Sequence, residues 1–213
     1  MILTDKHNLL PTIKSRSTVI IELGCGQQKR ISQAITIDQI DFPHVDIIAN
    51  LSEGLAFLPD ESVDEFYSFH FLEHLADLDF FMKEIYRVLK KGGKKFGTVP
   101  HFSNPYFYSD YTHHQFFGLY TLCYFSKSRY FKRGTPKFYT KVNFNINSIN
   151  LVFKSPFFAR NYIKKAWQII FNSCMFMQEL YESDFCYIIP AYEIEFEIEK
   201  PKATPIVLGA STD

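Results

Sequence analysis

Short apolar runs bounded by turn residues recur along the first half of the chain. They read as strands over 19–21, 45–49, 63–69 and 94–99, with a further short one that ends at Asp38. Before the last of them, apolar residues recur at spacings of three and four over 77–91, which predicts an amphipathic helix. Strands that alternate with a helix favour right-handed crossovers. The pattern therefore predicts an α/β fold with a mostly parallel sheet.

The pattern changes after Ser126. Residues 142–146 and 192–198 alternate apolar side chains with asparagines or glutamates, as half-exposed strands do, and we expect them to pair antiparallel. Between them, residues 157–177 indicate one amphipathic helix that covers the sheet and the substrate site. Its narrow polar face consists of Asn161, Lys164, Lys165, Gln168 and Asn172.

Composition and the ends of the chain narrow the class of protein. Lys plus Arg and Asp plus Glu number 23 each, so a nucleic-acid partner, which usually meets a basic excess, is not expected. The four cysteines have no metal-like spacing and no signal peptide is evident, which indicates reduced thiols in a cytoplasmic protein. Lysines within 157–177 argue against a transmembrane span. That helix covers the sheet or contacts a membrane surface or partner.

The strongest chemical signal lies in the turn between the first two strands. The first strand ends at Glu22, the turn contains Gly24, Cys25 and Gly26, and the second strand ends at Asp38. Glycines let the backbone turn sharply and approach a ligand closely, and Asp38 is placed to accept hydrogen bonds from ribose hydroxyls. A dinucleotide fingerprint would need a third glycine and a longer helix before the acid. The turn favours a ligand with an amino acid end and a ribose.

With L-G-C-G-x-x-K-R at 23–30, the sequence resembles the class I S-adenosylmethionine-dependent methyltransferases, and within them a compact sub-group. The L-K-K-G-G run at 89–93 and the D-x-T-H-x-x-F-F element at 110–117 are further points of resemblance. The resemblance implies a Rossmann-like, doubly wound sheet of seven strands that binds S-adenosylmethionine. Because the sub-group is associated with surface-polysaccharide assembly, it also implies a small polar acceptor, such as a hydroxyl of a sugar or phosphorylated sugar-like precursor.

The resemblance also implies which parts of the chain do what. Residues 1–17 form a lead-in, 18–126 the cofactor-binding core, 127–200 the C-terminal strands and helix, and 201–213 a tail. The cofactor-binding residues are expected to be Glu22, Gly24, Cys25, Gly26, Asp38, Gln39, Asn50, Leu51, Ser68, Phe69 and His70. Asn50 stands where the family commonly has an acid near the adenine amine, but its amide oxygen can still accept a hydrogen bond.

The acceptor site is expected in the loop after Val99, which is rich in histidine, tyrosine and serine. Methyl transfer needs in-line placement, together with a base when the acceptor is a hydroxyl. His113 is the candidate base, with Asp110 orienting it or binding substrate, and His101 and His114 are weaker candidates. Alternatively, Asp110 and His113 only hold the loop in place by hydrogen bonds.

Two rival functions stay open. His70, Glu73 and His74 have H-x-x-E-H spacing and share one face if a helix has begun by His70. This spacing allows a metal-dependent hydrolase, although no distant third ligand can be identified and we assign no metal ligands. The other rival is a protein that binds S-adenosylmethionine without transferring its methyl group.

Overall fold

A computed structural model describes residues 3–202. Its strands are β1 (Leu3–Asp5), β2 (Ile20–Leu23), β3 (Ile35–Asp38), β4 (Ile47–Ala49), β5 (Val63–Phe69), β6 (Leu89–Pro100), β7 (Asn145–Val152) and β8 (Glu193–Glu199). Its α-helices within this range are α1 (Leu78–Val88), α2 (Phe158–Phe171) and α3 (Met175–Leu180). The strands form one sheet in the order β1-β4-β3-β2-β5-β6-β8-β7.

The sheet confirms the predicted α/β fold. Strands β4, β3, β2, β5 and β6 are parallel neighbours, and β8 pairs antiparallel with both β6 and β7. The sheet has eight strands where seven were predicted, because β1 adds an antiparallel edge strand beside β4. Three residues are too few to show a periodicity, so the lead-in gave no sign of this strand. The tail expected over 201–213 lies almost wholly outside the described residues.

The first α-helix, α1, packs its apolar face against the sheet. The Asp77 side chain accepts a hydrogen bond of 2.8 Å from the Phe80 backbone N–H, a standard N-terminal cap. The helix ends at Val88, three residues before the predicted end, because Leu89 already has extended backbone and begins β6. Its buried face consists of Leu78, Phe81, Met82, Ile85 and Val88. Burial of each large apolar side chain contributes about 1.5–3 kcal/mol.

Two helices replace the single one predicted over 157–177, and the amide side chains of the polar face of α2 point inward. The Gln168 side-chain oxygen accepts a hydrogen bond of 3.1 Å from the Phe153 N–H. The side chain of Asn172, the residue after α2, accepts a hydrogen bond from the Leu151 N–H at 2.8 Å and donates one to the Leu151 carbonyl at 2.7 Å. Strand β7 lies at the end of the sheet, so these amides satisfy backbone groups on its open edge.

The opposite face of α2 is apolar and faces outward. Phe158, Tyr162 and Ile169 expose 77%, 67% and 74% of their surface. An ordinary surface helix has the reverse arrangement, with its apolar stripe buried. Across the described part of the chain, no helix combines the length and apolar character that crossing a membrane requires.

The strand order locates the region where a ligand is expected. From β2 the chain builds outward through β3 and β4, and it then returns to add β5 and β6 on the other side of β2. In open α/β sheets, ligands bind beyond the carboxyl ends of the strands where the order reverses. That point lies between β2 and β5, so the turns after these two strands form the candidate site.

Candidate active site

The turn after β2 has the sharp geometry that its glycines predict. Gly24 and Gly26 have φ angles of +62° and +57°, in the left-handed region that favours glycine. The Gly24 N–H donates to the Ile37 carbonyl at 2.9 Å, which joins the turn to β3. A Cβ added to Gly24 would lie 2.5 Å from the ring of Phe71. The turn and the segment after β5 are therefore in close contact.

Two buried carboxylates hold this turn. Asp38 accepts a hydrogen bond from the Gly26 N–H at 2.8 Å and one from the Ile40 N–H at 2.9 Å. Glu22 accepts bonds from the backbone N–H groups of Arg30 and Ile31, the shortest at 2.9 Å. Both carboxylates fix the backbone around a ligand site, and of the two residues only Asp38 also lines the cavity described next.

A cavity of about 440 Å³ lies over the carboxyl ends of β2, β3 and β4. Its size falls in the range usual for small-ligand sites. Of the residues expected to bind the cofactor, the lining contains Gly24, Gly26, Asp38, Gln39, Asn50, Leu51 and His70, and we therefore name this cavity the cofactor cavity. It also contains residues that the sequence did not single out for the cofactor: Ile40, Ser52, Phe71, His74, Leu75, Thr112 and His114. These come mainly from segments far along the chain, which sequence spacing does not reveal.

Four of the expected cofactor residues lie outside this lining. Glu22 is buried against the turn. The pKa of the Cys25 thiol is raised to about 12, mainly because the thiol is buried and secondly because the Asp38 carboxylate lies nearby. Ser68 is fully buried, and its hydroxyl oxygen lies 2.5 Å from Lys95 Nζ, which donates a hydrogen bond to it. Phe69 lines a second cavity instead. Their assignment to the cofactor stays a prediction.

Asn50 already has protein partners in the cofactor cavity. Its side-chain oxygen accepts a hydrogen bond of 3.1 Å from the Ser52 N–H, and its amide nitrogen donates to Glu53 at 2.9 Å. The oxygen caps the short 3₁₀ turn Leu51–Glu53. An amide oxygen has two lone pairs, so one is left for a ligand.

A second cavity, of about 780 Å³, lies beside the first, and His70 lines both. Its other lining residues come from β5, β6 and β8, from the segments after β2, β6 and β7, and from the residue before β8: Arg30, Phe69, Thr98, Tyr106, Lys154, Ser155, Pro156, Tyr192, Glu193 and Glu195. From this set the sequence named Phe69 for the cofactor, and His70 for the cofactor or, in the rival hydrolase hypothesis, for a metal. The alternation of apolar residues and glutamates over 192–198 predicted that Glu193 and Glu195 lie on a strand. It did not indicate that either glutamate belongs to a binding site.

His70 stands at the boundary between the cavities in an unusual backbone conformation. Its φ of 54° is in the left-handed region, which is uncommon for a residue with a side chain and costs about 1–3 kcal/mol. Its Nε2 lies 3.0 Å from Glu193 Oε2, and its Nδ1 lies 3.4 Å from Glu73 Oε1. The hydrogen bond to Glu193 and then the Glu73 carboxylate raise the pKa of His70 to about 9.

The Glu193 carboxylate is nearly buried. Burial alone would raise its pKa, but hydrogen bonds from His70 and Lys154 outweigh burial, and the pKa of Glu193 is lowered. Lys154 also forms an ion pair with Glu193. The second cavity therefore has fixed charges of both signs on one wall.

The expected helix at H-x-x-E-H is not present at its first residue. His70 is left-handed, Leu72–His74 form a 3₁₀ turn, and α1 begins only at Leu78. His70 and Glu73 nevertheless come close through this turn. The geometry differs from the helical face that a zinc peptidase motif requires.

The loop after β6 places its histidines in three different environments. His101 is completely buried, with Nδ1 2.8 Å from Ser103 Oγ and Nε2 2.9 Å from Glu182 Oε2. His113 is half-buried and lines neither of the two cavities described above. His114 is exposed and lines the cofactor cavity. Their catalytic roles stay predictions.

Asp110 is bound within its own loop. It accepts hydrogen bonds from the Thr112 hydroxyl at 2.6 Å and the Thr112 N–H at 2.9 Å, and these bonds lower its pKa. Its other oxygen lies 3.6 Å from His113 Nε2, beyond hydrogen-bond distance.

The arrangement fits S-adenosylmethionine. The left-handed glycines bring bare backbone to the cavity, and the Asp38 carboxylate stands at the end of β3 within the lining. Residues 16–96 match the model of a family described as a methyltransferase domain. The chain is an S-adenosylmethionine-dependent methyltransferase. The predicted class I enzyme and its cofactor are confirmed, and the acceptor is a separate question.

Solved structures similar to this methyltransferase have the same fold. A SAM-dependent methyltransferase from Archaeoglobus fulgidus is 15% identical, with 90% of this chain and 89% of that chain covered and a TM-score of 0.54. A second, from Mesorhizobium loti, is 15% identical over 92% and 98% of the two chains, with a TM-score of 0.50.

A third structure is phosphoethanolamine N-methyltransferase 2 from Haemonchus contortus in complex with S-adenosyl-L-methionine. It is 14% identical over 91% of this chain, with a TM-score of 0.50, and this chain spans 51% of its length. At such identities the likeness shows the fold and leaves the acceptor open. No curated protein matches the sequence.

Proposed function

We propose that the methyltransferase transfers the methyl group to a hydroxyl of a small polar acceptor that binds in the 780 Å³ cavity. The observation that carries this proposal is that His70 lines both this cavity and the cofactor cavity. Bound S-adenosylmethionine supplies an electrophilic methyl group. Two adjoining cavities can hold donor and acceptor in line, and orientation provides much of the rate gain in such a transfer.

The walls of the acceptor cavity suit a sugar or a phosphorylated sugar-like molecule. Glu195 is exposed and offers carboxylate oxygens to hydroxyl groups, and Lys154 and Arg30 offer positive charge to a phosphate. Tyr192 provides an aromatic surface under the Lys154 ammonium, 5.9 Å from its ring centre. A role in surface-polysaccharide biosynthesis extends this proposal and is supported by the sub-group resemblance of the sequence alone.

Removal of the acceptor proton falls most naturally to His114 among the loop histidines. His114 is exposed and lines the cofactor cavity rather than the acceptor cavity, so this role requires the acceptor hydroxyl to extend past His70 toward the methyl group in the cofactor cavity. His113, the first candidate from the sequence, donates its Nδ1–H to the Phe107 carbonyl at 3.0 Å and serves the loop. His101 has both ring nitrogens partnered in the interior and is not used in this proposal.

We further propose that the outward face of α2 lies on an anionic membrane surface. Its large apolar side chains are exposed, as are Arg160 and Lys165, and the sequence from Lys154 to Gln178 contains no acid. An exposed apolar face with basic residues is the pattern of helices that lie in the lipid interface. The acceptor cavity shares Lys154 and Glu195 with a groove beside α2, so an acceptor could reach it from that surface.

A cytoplasmic location is also a proposal. Its support is that Cys25, Cys123, Cys174 and Cys186 are free thiols, as is usual in a reducing compartment. The membrane face in question would then be the cytoplasmic one, which carries the anionic lipids.

A panel of acceptors tests the proposal. The purified protein is incubated with S-adenosylmethionine and with nucleotide-linked sugars, phosphorylated sugars and amines of similar size, and release of adenosylhomocysteine is measured. We expect turnover with one or more hydroxyl acceptors. Turnover with amines alone, or none above background with every hydroxyl compound, would overturn the assignment of the acceptor.

A further inference from the structure

Glu73, His74 and His113 form a cluster of metal-ligating side chains beside the cofactor cavity. One ligand atom from each of the three lies within 4.8 Å of the other two. The backbone holds this arrangement in place, because the N–H groups of His114 and Gln115 both donate to the Glu73 carbonyl, at 2.7 and 3.0 Å. The loop after β6 is thus fastened to the turn after β5 at the cluster itself.

The Glu73 side chain lacks the partners that a buried carboxylate needs. It is completely buried, and neither carboxylate oxygen has a hydrogen-bond partner among residues 3–202. The closest cationic group is His70, with Nδ1 3.4 Å from Oε1. Burying a carboxylate without hydrogen bonds costs several kcal/mol unless a cation or a metal compensates. His70 faces Oε1 and offsets the charge on that side, whereas Oε2 has no hydrogen-bond partner in the described part of the chain, and this oxygen points to a missing ligand.

Both histidines of the cluster have Nδ1 fixed by an acceptor. His113 Nδ1 lies 3.0 Å from the Phe107 carbonyl, which can only accept, so this nitrogen carries the proton. His74 Nδ1 lies 2.9 Å from the Thr112 hydroxyl, whose own proton goes to Asp110 at 2.6 Å. His74 must therefore donate as well. In its neutral form each ring therefore carries its lone pair on Nε2, which is the nitrogen able to bind a metal.

Metal-binding histidines have this same arrangement. The nitrogen that does not bind metal donates to a carbonyl, a carboxylate or another acceptor, which fixes the tautomer and the ring orientation. Two imidazole nitrogens and one carboxylate form a three-ligand set that suits Zn²⁺ with a water in the fourth position.

We propose that Glu73, His74 and His113 bind one divalent transition-metal ion of the zinc class. This set differs from the His70, Glu73 and His74 set that the sequence spacing suggests. His70 is excluded because its two ring nitrogens face the Glu193 and Glu73 carboxylates. His74 also lines the cofactor cavity, so an ion bound by this cluster would lie next to that cavity.

Calorimetry with Zn²⁺ alone tests the site. Untagged protein is stripped with a chelator and titrated with zinc, with neither cofactor nor acceptor present, so the result does not depend on the proposed function. We expect one ion per chain. Glu73→Gln and His113→Ala should each weaken zinc binding at least tenfold, whereas His7→Ala, which removes an exposed histidine outside the cluster, should bind zinc as the wild type does.

Thermal unfolding separates loss of the site from loss of the fold. Without zinc, Glu73→Gln should unfold at the same temperature as the wild type or higher, because it removes a buried charge. Zinc should raise the unfolding temperature of the wild type and leave that of the variant unchanged. Wild-type protein that binds no zinc, or a Glu73→Gln variant that binds it equally well, would overturn the proposal.

Discussion

Glu193 Oε2 lies 3.0 Å from His70 Nε2, although the two residues are 123 positions apart in the sequence. His70 follows β5 in the cofactor-binding part of the sheet, whereas Glu193 begins β8. This contact brings the C-terminal strands to the point where the two cavities meet. The antiparallel strand that completes the sheet thus also supplies one wall of the proposed acceptor site.

Replacing Glu193 with Gln should impair binding of the acceptor and leave binding of S-adenosylmethionine intact. Gln keeps the shape of the side chain but removes the charge that holds His70 and Lys154. Because hydrogen bonds to charged groups are worth about 1.5–3 kcal/mol, we expect KM for the acceptor to rise about tenfold or more. The affinity for S-adenosylmethionine should stay within about twofold of the wild type, because Glu193 lies outside the cofactor lining.

The control for this variant is Glu199→Gln, at the far end of the same strand. Thermal unfolding should be measured for both variants, since Glu193 is buried. If Glu193→Gln weakens cofactor binding and leaves KM for the acceptor unchanged, the assignment of the second cavity fails.

Replacing each of the two glycines of the turn with alanine should weaken cofactor binding, and the Gly24 variant should lose more affinity than the Gly26 variant. Gly24→Ala adds a Cβ at 2.5 Å from the Phe71 ring as well as left-handed strain, so cofactor affinity should fall about 100-fold or more. Gly26→Ala meets no atom within 4 Å, and strain of about 1–2 kcal/mol should lower affinity about tenfold. Calorimetry with adenosylhomocysteine measures both. Gly134→Ala, which has open space and no left-handed backbone, is the control, and equal losses for Gly24→Ala and Gly26→Ala would contradict this account.

Asp38→Asn should weaken cofactor binding by about 10- to 100-fold. The carboxylate accepts backbone N–H groups from Gly26 and Ile40 on its two oxygens, and an amide can accept on one side only. Asp41→Asn, an exposed acid three residues away, is the matched control. Unchanged affinity for adenosylhomocysteine in Asp38→Asn would show that this carboxylate does not support the ligand.

Much of the α/β core could be predicted because each part of it is a local pattern. The strand over 63–69 has the predicted bounds, since its apolar run and the acidic turn before it are contiguous. Asp38 ends β3 as expected, and the glycine turn has the predicted geometry. These features depend on residues within a few positions of one another.

Other features depend on which distant segments meet. Lys154 and Glu193 reach the acceptor cavity only because β8 pairs between β6 and β7, an order that alternation alone does not give. Periodicity also could not predict the orientation of α2. It identifies a polar and an apolar face, but it does not show which of them packs against the protein. The open edge of β7 decides this, because its backbone groups need the amides of α2.

The outward face of α2 should bind anionic vesicles. We expect the protein to sediment with vesicles that contain an anionic lipid, and less with purely zwitterionic ones, because both apolar area and charge contribute. Ile169→Lys should reduce binding through the apolar term and Lys165→Glu through the charge term. Tyr111→Ser, which removes an aromatic ring that is 95% exposed elsewhere, should bind as the wild type does.

A second copy of the chain is the competing occupant of this face. Analytical ultracentrifugation over a range of protein concentrations would detect it. Dimers that Ile169→Lys abolishes, together with no binding to anionic vesicles at low salt, would replace the membrane proposal with self-association.

Lys95 should make stability depend on pH in a predictable direction. Its side chain is completely buried, its partners are the uncharged Ser68 hydroxyl and Phe96 carbonyl, and burial lowers its pKa well below 10.5. Between the lowered pKa and 10.5, the unfolded chain binds a proton at this site that the folded chain does not. That proton favours unfolding, so the contribution of Lys95 to stability rises with pH through this window, by up to about 1.4 kcal/mol per pH unit.

The Lys95→Met variant isolates this effect from other titrating groups. The free energy of unfolding, measured by urea between about pH 7 and pH 10, should favour the variant most at the lower end, and its advantage should shrink as pH rises. Lys94→Met is the control, because an ion pair with Glu197 raises the pKa of Lys94 and reverses the sign. A difference between Lys95→Met and wild type that does not change with pH would mean that Lys95 keeps its proton in the folded protein, and that its two neutral partners hold an ammonium ion in the interior of the sheet.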